Sequence, residues 1–505
     1  MTGSEKRYFK VFTLRLAPGT SGDQHFLFDA IAAMTTYDEQ ALLEQVSDRR
    51  SQKHFTTIKH RLYDAVLRSL SAFHAEGSVD ARLGRLMHQV EVLHDKALYE
   101  DSERILNSAR RLARSHDRQL VLLAIARWDQ RLLERNNYAF ATKERMVRLQ
   151  QDTDAAMAEQ QELNALWESK SRILLNLYRG GQARCAEAIA EVHGILDQPL
   201  LRDPDRLRTP RARFLYHHLH SAASFATGEM PVCMDHLTSA FNTLEEARAK
   251  FFEEPNLAIS TLSNLIYVKV RMGLFEDAFS LLHDFRSLPA RWNMPETEDL
   301  DLKLFATSTS LELSIHSRMG AFDKALELTP VVERGMARHE QRLGPMRKAA
   351  FFYQLAYAHF GAGSPDLALR WSQRLLNDIH IDDSTDIVCF GRMLNLMAHI
   401  DAGKLDTVPY ALRNTGRFLS TRARTHRFEP GFLAMVKDVV KARNPIELQA
   451  VYAAFLEKIA PLELDPFEQV VFEHMDPIAW AQSKLTGRPF AEIVRERAMR
   501  VKAAA

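Results

Sequence analysis

Eight positions, spaced 39 to 47 residues apart, constrain this chain more than any other feature of it. Ala97, Asn136, Gly181, Gly228, Gly273, Gly320, Gly363 and Gly403 follow one another in steps of 39, 45, 47, 45, 47, 43 and 40 residues. Five residues after each comes a small or β-branched side chain: Ser102, Ala141, Ala186, Cys233, Ala278, Ala325, Ala368 and Val408. The clearest copies read RMGLFEDAFSLL at 271–282 and RMGAFDKALELT at 318–329. A period of this length predicts stacked helical hairpins, because each copy can bury its apolar face only against its neighbours.

Each position has a physical reason. A turn between antiparallel helices needs a residue that tolerates positive φ, which Gly does best and Asn next best. Two residues later most copies carry an apolar plug: Tyr99, Tyr138, Met230, Phe275, Phe322 and Leu405. Ala183 and Pro365 depart from this, although proline suits a first helical turn. The small residue at the fifth position opens the second helix where it passes close to its neighbour.

These residues resemble the tetratricopeptide repeat, in which a Gly, an aromatic residue two positions on and an Ala five positions on mark the turn and the second helix. The resemblance covers roughly 90–420. The copies exceed that family's usual ~34 residues, which implies longer helices. The segments SEKRYFK (4–10) and SKLTGRPFAEIVRE (483–496) are also similar to an uncharacterised family of bacterial helical-repeat proteins, which implies no function. The expected fold is all-α: an α-solenoid of tetratricopeptide-like helical hairpins over 81–420, an N-terminal helical bundle or cap over 1–80 and a C-terminal helical cap over 421–505.

Composition excludes several classes. With 66 basic and 65 acidic residues the formal charge is +1, so no global field draws the chain to nucleic acid or membrane. Hydrophobic content of 46% with 26% charged residues is ordinary for a folded soluble protein. Three widely spaced cysteines, Cys185, Cys233 and Cys389, read as reduced thiols of a cytoplasmic protein. The N-terminus carries no apolar leader, and the richest apolar run, VLLAIA at 121–126, falls far short of the ~20 residues that span a bilayer.

Before the repeats, residues 24–34 predict one helix and Thr36 with Glu39 a capping box for a second, running through Val46. A third helix is expected from Ser51 to Phe73, with Phe55, Ile58, Leu62, Val66, Leu70 and Phe73 on one face. Prolines predict breaks at 197–213 and 287–299. Beyond 421, helices are expected from Pro445 and near 465–474, 476–486 and 489–501.

No motif carries chemistry, so no enzyme, cofactor or metal is expected. His217, His218 and His220 lack further ligands nearby in sequence and read as polar helix surface. His380 with Asp382, Asp383 and Asp386 lacks the Gly and terminal Glu of a calcium loop. Two basic features stand out. Arg127, Arg131 and Arg135 share a helix face, and 413–428 holds Arg413, Arg417, Arg422, Arg424 and Arg427 without an acid. Each reads as a charged face that pairs with a neighbouring repeat, or as a seat for an anionic partner.

In the tetratricopeptide family the first helices present peptides on their concave side. The resemblance implies that Arg127, Arg172, His218, Asn264, Tyr267, Ser314, Tyr353, Gln354 and Tyr357 line that side, with Arg131 beside Arg127. The function it implies is a non-enzymatic scaffold for a protein or peptide partner. The lysine and asparagine set with which the family clamps a C-terminal carboxylate is not reproduced. The alternative is a transcription regulator whose first three helices form a helix-turn-helix unit exposing Lys53, Lys59, His60, Arg61 and Arg68. Residues 1–85 hold 12 basic and 10 acidic side chains, a net +2 that argues against nucleic acid as the partner.

Overall fold

A computed structural model describes residues 1–16, 22–34, 36–45, 55–139, 141–183, 185–378, 386–420, 427–465 and 468–504. Ser51, Lys53, His380, Asp382, Asp383, Arg422 and Arg424 fall outside them. The described residues are helical, with turns and short connections between the helices and no strand among them. None of their helices is long and apolar enough to cross a membrane. The chain divides into two compact units, Met1–Gln160 and Gln161–Ala505.

The first unit begins with α1 (Gly3–Leu16), α2 (Gly22–Ala33), α3 (Glu39–Gln45) and α4 (Phe55–Phe73). They share a small core of Phe9, Leu27, Phe28, Leu42, Phe55 and Leu62. The expected capping box is not formed. Asp38 caps α3 through Gln40 and Ala41 N–H at 3.0 and 3.1 Å, because Glu39 is turned to Tyr37 (2.9 Å) and Lys59 (2.7 Å). Lys59 is thus committed to a carboxylate. A second core joins α5 (Val79–Asp95), α6 (Tyr99–Ser115) and α7 (Gln119–Glu134) around Val90, Leu106, Ala109 and Ile125. The long helix α8 (Lys143–Gly180) follows.

The second unit continues with α9 (Ala186–Leu196), α10 (Pro210–Thr227), α11 (Met230–Glu246) and α12 (Arg248–Phe251). Then come α13 (Pro255–Arg271), α14 (Phe275–Arg291), α15 (Glu298–Arg318), α16 (Phe322–Glu327) and α17 (Thr329–Arg338). They are followed by α18 (Pro345–Gly361), α19 (Pro365–Asn377), α20 (Asp386–Asp401) and α21 (Val408–Ser420). Last are α22 (Phe428–Lys441), α23 (Pro445–Ile459), α24 (Gln469–His474), α25 (Pro477–Thr486) and α26 (Phe490–Ala504).

One turn recurs through these helices. Gly181, Gly228, Gly273, Gly320, Gly363 and Gly403 all have φ between 68° and 84°, and Ala97 adopts 60°. The residue after each of six of these turns donates its N–H back to a carbonyl in the last turn of the helix: Leu98 to Leu93, Glu229 to Ser224, Leu274 to Lys269, Ala321 to His316, Ser364 to His359 and Lys404 to His399, at 2.8–2.9 Å. This is the left-handed helix stop that satisfies otherwise orphaned carbonyls. The fifth-position side chains Ser102, Cys233, Ala278, Ala325, Ala368 and Val408 are fully or nearly fully buried. Ser102 shows how close the neighbour lies, since its hydroxyl donates to Val90 O at 3.0 Å.

Two copies depart. Positive φ falls on Asn137 and Tyr138 rather than Asn136, in a 3-10 turn at Arg135–Tyr138. Ala141 is half-buried and Ala186 is exposed, so neither opens a tightly packed second helix. The break expected at 287–299 starts later, because α14 carries Pro289 inside it and ends at Arg291. Helix α1 was not anticipated as a helix, although its Phe9 is fully buried.

A packing test follows. Ala278→Arg is expected to cost at least ~1–3 kcal/mol by overpacking a site with no exposed surface. Asp323→Arg, on the exposed side of an equivalent turn, should stay within about 0.5 kcal/mol. Urea midpoints of the two variants compare them directly, and equal losses would contradict the repeat alignment.

Candidate functional site

The C-terminal residues return to the hairpins. The Glu468 carboxylate accepts from Arg427 N–H (2.8 Å) and Phe428 N–H (3.2 Å) and so caps α22. Arg427 itself pairs with Asp465 and Glu468, which resolves one member of the basic run into a local ion-pair cluster. After the short α24, Met475 is extended (φ −146°, ψ 160°), and Asp476 caps α25 through Ala479 N–H at 2.8 Å.

Residues 473–476 lie against one face shared by α13, α15, α18 and α20. The Glu473 carboxylate pairs with Arg271 and accepts the Tyr267 hydroxyl at 2.9 Å. Arg318 donates to the Glu473 carbonyl at 3.3 Å, and the Tyr353 hydroxyl donates to the His474 carbonyl at 2.8 Å. Asp476 N–H donates to the Tyr357 hydroxyl at 3.1 Å. The His474 ring stacks on Phe390 at 4.7 Å. Three of these contacts grip backbone and three grip side chains, two on the Glu473 carboxylate and one on the His474 ring, so the face holds the end of α24 and its exit by both. The phenols of Tyr267, Tyr353 and Tyr357 are all pushed above their ordinary range, first by burial.

Farther along the chain, Trp480 Nε1 donates to Asp401 at 3.1 Å, and Lys484 pairs with the same carboxylate at 2.8 Å. Phe490 lies against Phe322, Tyr357 and Phe360 with ring centroids 5.5–6.3 Å apart. Trp480 is fully buried, and Ile493 and Val494 are only 4% exposed, so α25 and α26 are parts of the core.

Beside this segment the same face stays open. A groove of about 300 Å³ is lined by Ser263, Asn264 and Tyr267 from α13, by Ala306, Thr307, Ser310 and Leu311 from α15, and by Arg347, Ala350 and Phe351 from α18. Its volume is at the small end of ligand pockets, ~300–1,000 Å³. Arg347 is the one charged residue of the lining and is exposed. Three donors are already committed: Tyr267 to Glu473, Ser263 to Ser260 O (2.9 Å) and Ser310 to Gln354 (3.0 Å). Compared with known families and curated proteins, the chain matches no family model and no curated sequence.

The expected binding residues divide accordingly. Asn264 and Tyr267 line the groove, Gln354 braces its floor through Ser310, and Ser314 is half-buried on α15. Tyr353 and Tyr357, expected to face a partner, are only 4% and 8% exposed, because their hydroxyls serve the chain's own 474–476. Arg127 and Arg131 belong to the first unit, where both are exposed and Arg131 lies over Trp128 at 4.6 Å. Arg172 is exposed on α8, and His218 stacks on Phe214 at 5.7 Å. The sequence reading missed Arg271, Arg318 and Glu473. A signal for the first two was available, since each opens the RMG of its repeat.

The histidines are not polar surface. His217 Nδ1 lies 3.0 Å from His236 Nδ1 on α11, His220 stacks on His236 at 4.8 Å, and His220 Nε2 reaches Leu201 O at 3.0 Å. Among the described residues no group of three or more His, Cys, Asp and Glu side chains is placed to hold a metal ion. Burial, then the positive charge His236 would carry, pushes His217 and His220 down to about 4, and burial lowers His236. His218 is likewise pushed down to about 4, by burial first and Lys170 second. Between the ordinary value of 6.5 and about 4 the unfolded chain therefore binds more protons than the folded one. The sign is fixed: stability falls as pH falls through that window. Urea midpoints taken from pH 7.5 to 4.5 should drop, and His217→Gln with His220→Gln should flatten the slope. An unchanged slope in that double variant would show that these imidazoles are not the source.

Proposed function

We propose that the second unit is a tetratricopeptide-like solenoid whose first-helix face binds an extended segment of another protein, without chemistry of its own. The observation that supports this best is that the face already holds a piece of the chain by its backbone, where the end of α24 runs through the extended Met475 to Asp476. Arg318, Tyr353 and Tyr357 hydrogen-bond the backbone of 473–476, and the open groove continues from Tyr267 along the same three helices. Solenoid faces suit extended ligands because they offer length rather than depth. The helical caps fit the same reading, as does a cytoplasmic setting, in which the three cysteines, none of them in a disulfide, stay reduced. Cys233 is an inert member of that set, its thiol pushed up to about 12 by burial.

The test is a display library of random ten-residue segments panned against the full chain. Enriched segments should bind the native chain and lose about tenfold or more in affinity to Thr307→Trp, which fills the groove with an indole, while circular dichroism stays unchanged. Segments that bind the filled variant equally well would refute the assignment of this face.

A further inference from the structure

We infer that the open groove selects a segment with an acidic side chain, seated on Arg347, as an extended neighbour of the chain's own 473–476. The inference rests on the reading of this face as a peptide-binding surface. Two observations carry it beyond that reading. The first is charge. The groove lining holds one guanidinium and no carboxylate, and with three hydroxyls already committed, Asn264, Thr307 and Arg347, whose charge also reaches the exposed Asp299 outside the lining, are the groups that can meet a ligand. All three can donate hydrogen bonds, and the cation favours an anion among the acceptors they would meet.

The second is continuity. The adjoining part of the face solves the same problem within the chain, where the Glu473 carboxylate sits between the Tyr267 hydroxyl and the Arg271 guanidinium while its carbonyl is held by Arg318. Tyr267 belongs to both places, giving its hydroxyl to Glu473 and its ring to the groove wall. A partner's carboxylate on Arg347 repeats that pattern, with apolar contact supplied by Leu311, Ala350 and Phe351. The internal pair is buried, whereas Arg347 is exposed, so the new contact is weaker and salt-sensitive.

The experiment measures fluorescence anisotropy of three labelled decapeptides, alternating Ala–Glu, Ala–Gln and Ala–Lys, with the full chain at low and high salt. The Ala–Glu peptide should bind about fivefold or more tighter than Ala–Gln, lose that margin in Arg347→Ala, and regain part of it in Arg347→Lys. Asn264→Ala should weaken it further, and added salt should erase the difference. Equal binding of Ala–Glu and Ala–Gln, both abolished by Thr307→Trp, would overturn the acidic preference and leave the peptide-binding reading standing. Competition by glutarate at the peptide's own concentration would overturn it in favour of a small carboxylate. Failure of all three peptides would also overturn it, while the library in the preceding test decides the reading of the face itself.

Discussion

A single methyl group at Gly320 is expected to cost about twice what it costs at Gly363 or more. The two glycines hold equivalent turns with nearly equal backbone angles, φ 70° and 74°. Alanine at either site therefore meets the same left-handed penalty, about 1–2 kcal/mol. The surroundings differ. A Cβ at Gly320 would lie 2.7 Å from Ala491 O and 2.8 Å from Arg495 N, whereas one at Gly363 meets nothing within 4 Å. Both obstructing atoms are backbone, so no rotamer change relieves them and α26 itself has to move. That helix carries buried Ile493 and Val494 and ties back through Arg495 to Gly320 O at 3.3 Å. Overpacking adds ~1–3 kcal/mol, which places Gly320→Ala at roughly 2–5 kcal/mol in all. Urea midpoints of the two alanine variants give the comparison. Equal losses would mean that α26 is not seated on that turn.

The contrast between those glycines also separates what the sequence makes legible from what it does not. Turn geometry repeats because the same local chain reversal repeats. Gly273, Gly320 and Gly363 were therefore readable from spacing alone, as were the buried Ala278, Ala325 and Ala368. What packs on a turn from outside the repeat has no period. The residues two before the turn glycines show this: Arg271, Arg318 and Asp401 all reach the C-terminal segment, in contacts with Glu473, Trp480 and Lys484. Tyr267 and Glu473 stand 206 residues apart, and no local signal links them. The histidine cluster was missed for the same reason at shorter range, since His236 lies on the next helix. The resemblance named Tyr267, Tyr353 and Tyr357, but not their occupant, the chain's own 473–476.

That occupant is held by a charge pair whose removal should be strongly non-additive. Arg271 and Glu473 side chains are 7% and 12% exposed, and the Arg271 guanidinium also lies 5.4 Å from the Phe225 ring centre. Glu473→Ala leaves a buried guanidinium without its carboxylate, and Arg271→Met leaves a buried carboxylate without its guanidinium. Breaking a buried pair from one side typically costs ~3–5 kcal/mol. Here the lower end is expected, because Glu473 lines a cavity of about 100 Å³ together with the charged Arg318, Asp476 and Arg497. Removing both charges together, as Arg271→Met with Glu473→Met, should cost less than either single change, since two desolvated ions leave the interior at once. Tyr267→Phe, which removes one hydrogen bond to the carboxylate and leaves the pair, should cost about 1.5–3 kcal/mol. Urea denaturation of the three charge variants closes the cycle. Additive losses would show two independent contacts instead of one coupled pair. Recovery in the double variant would mean that the backbone bonds from Arg318, Tyr353 and Tyr357 suffice to hold residues 473–476 on this face. That capacity is what binding a second segment in the groove alongside requires.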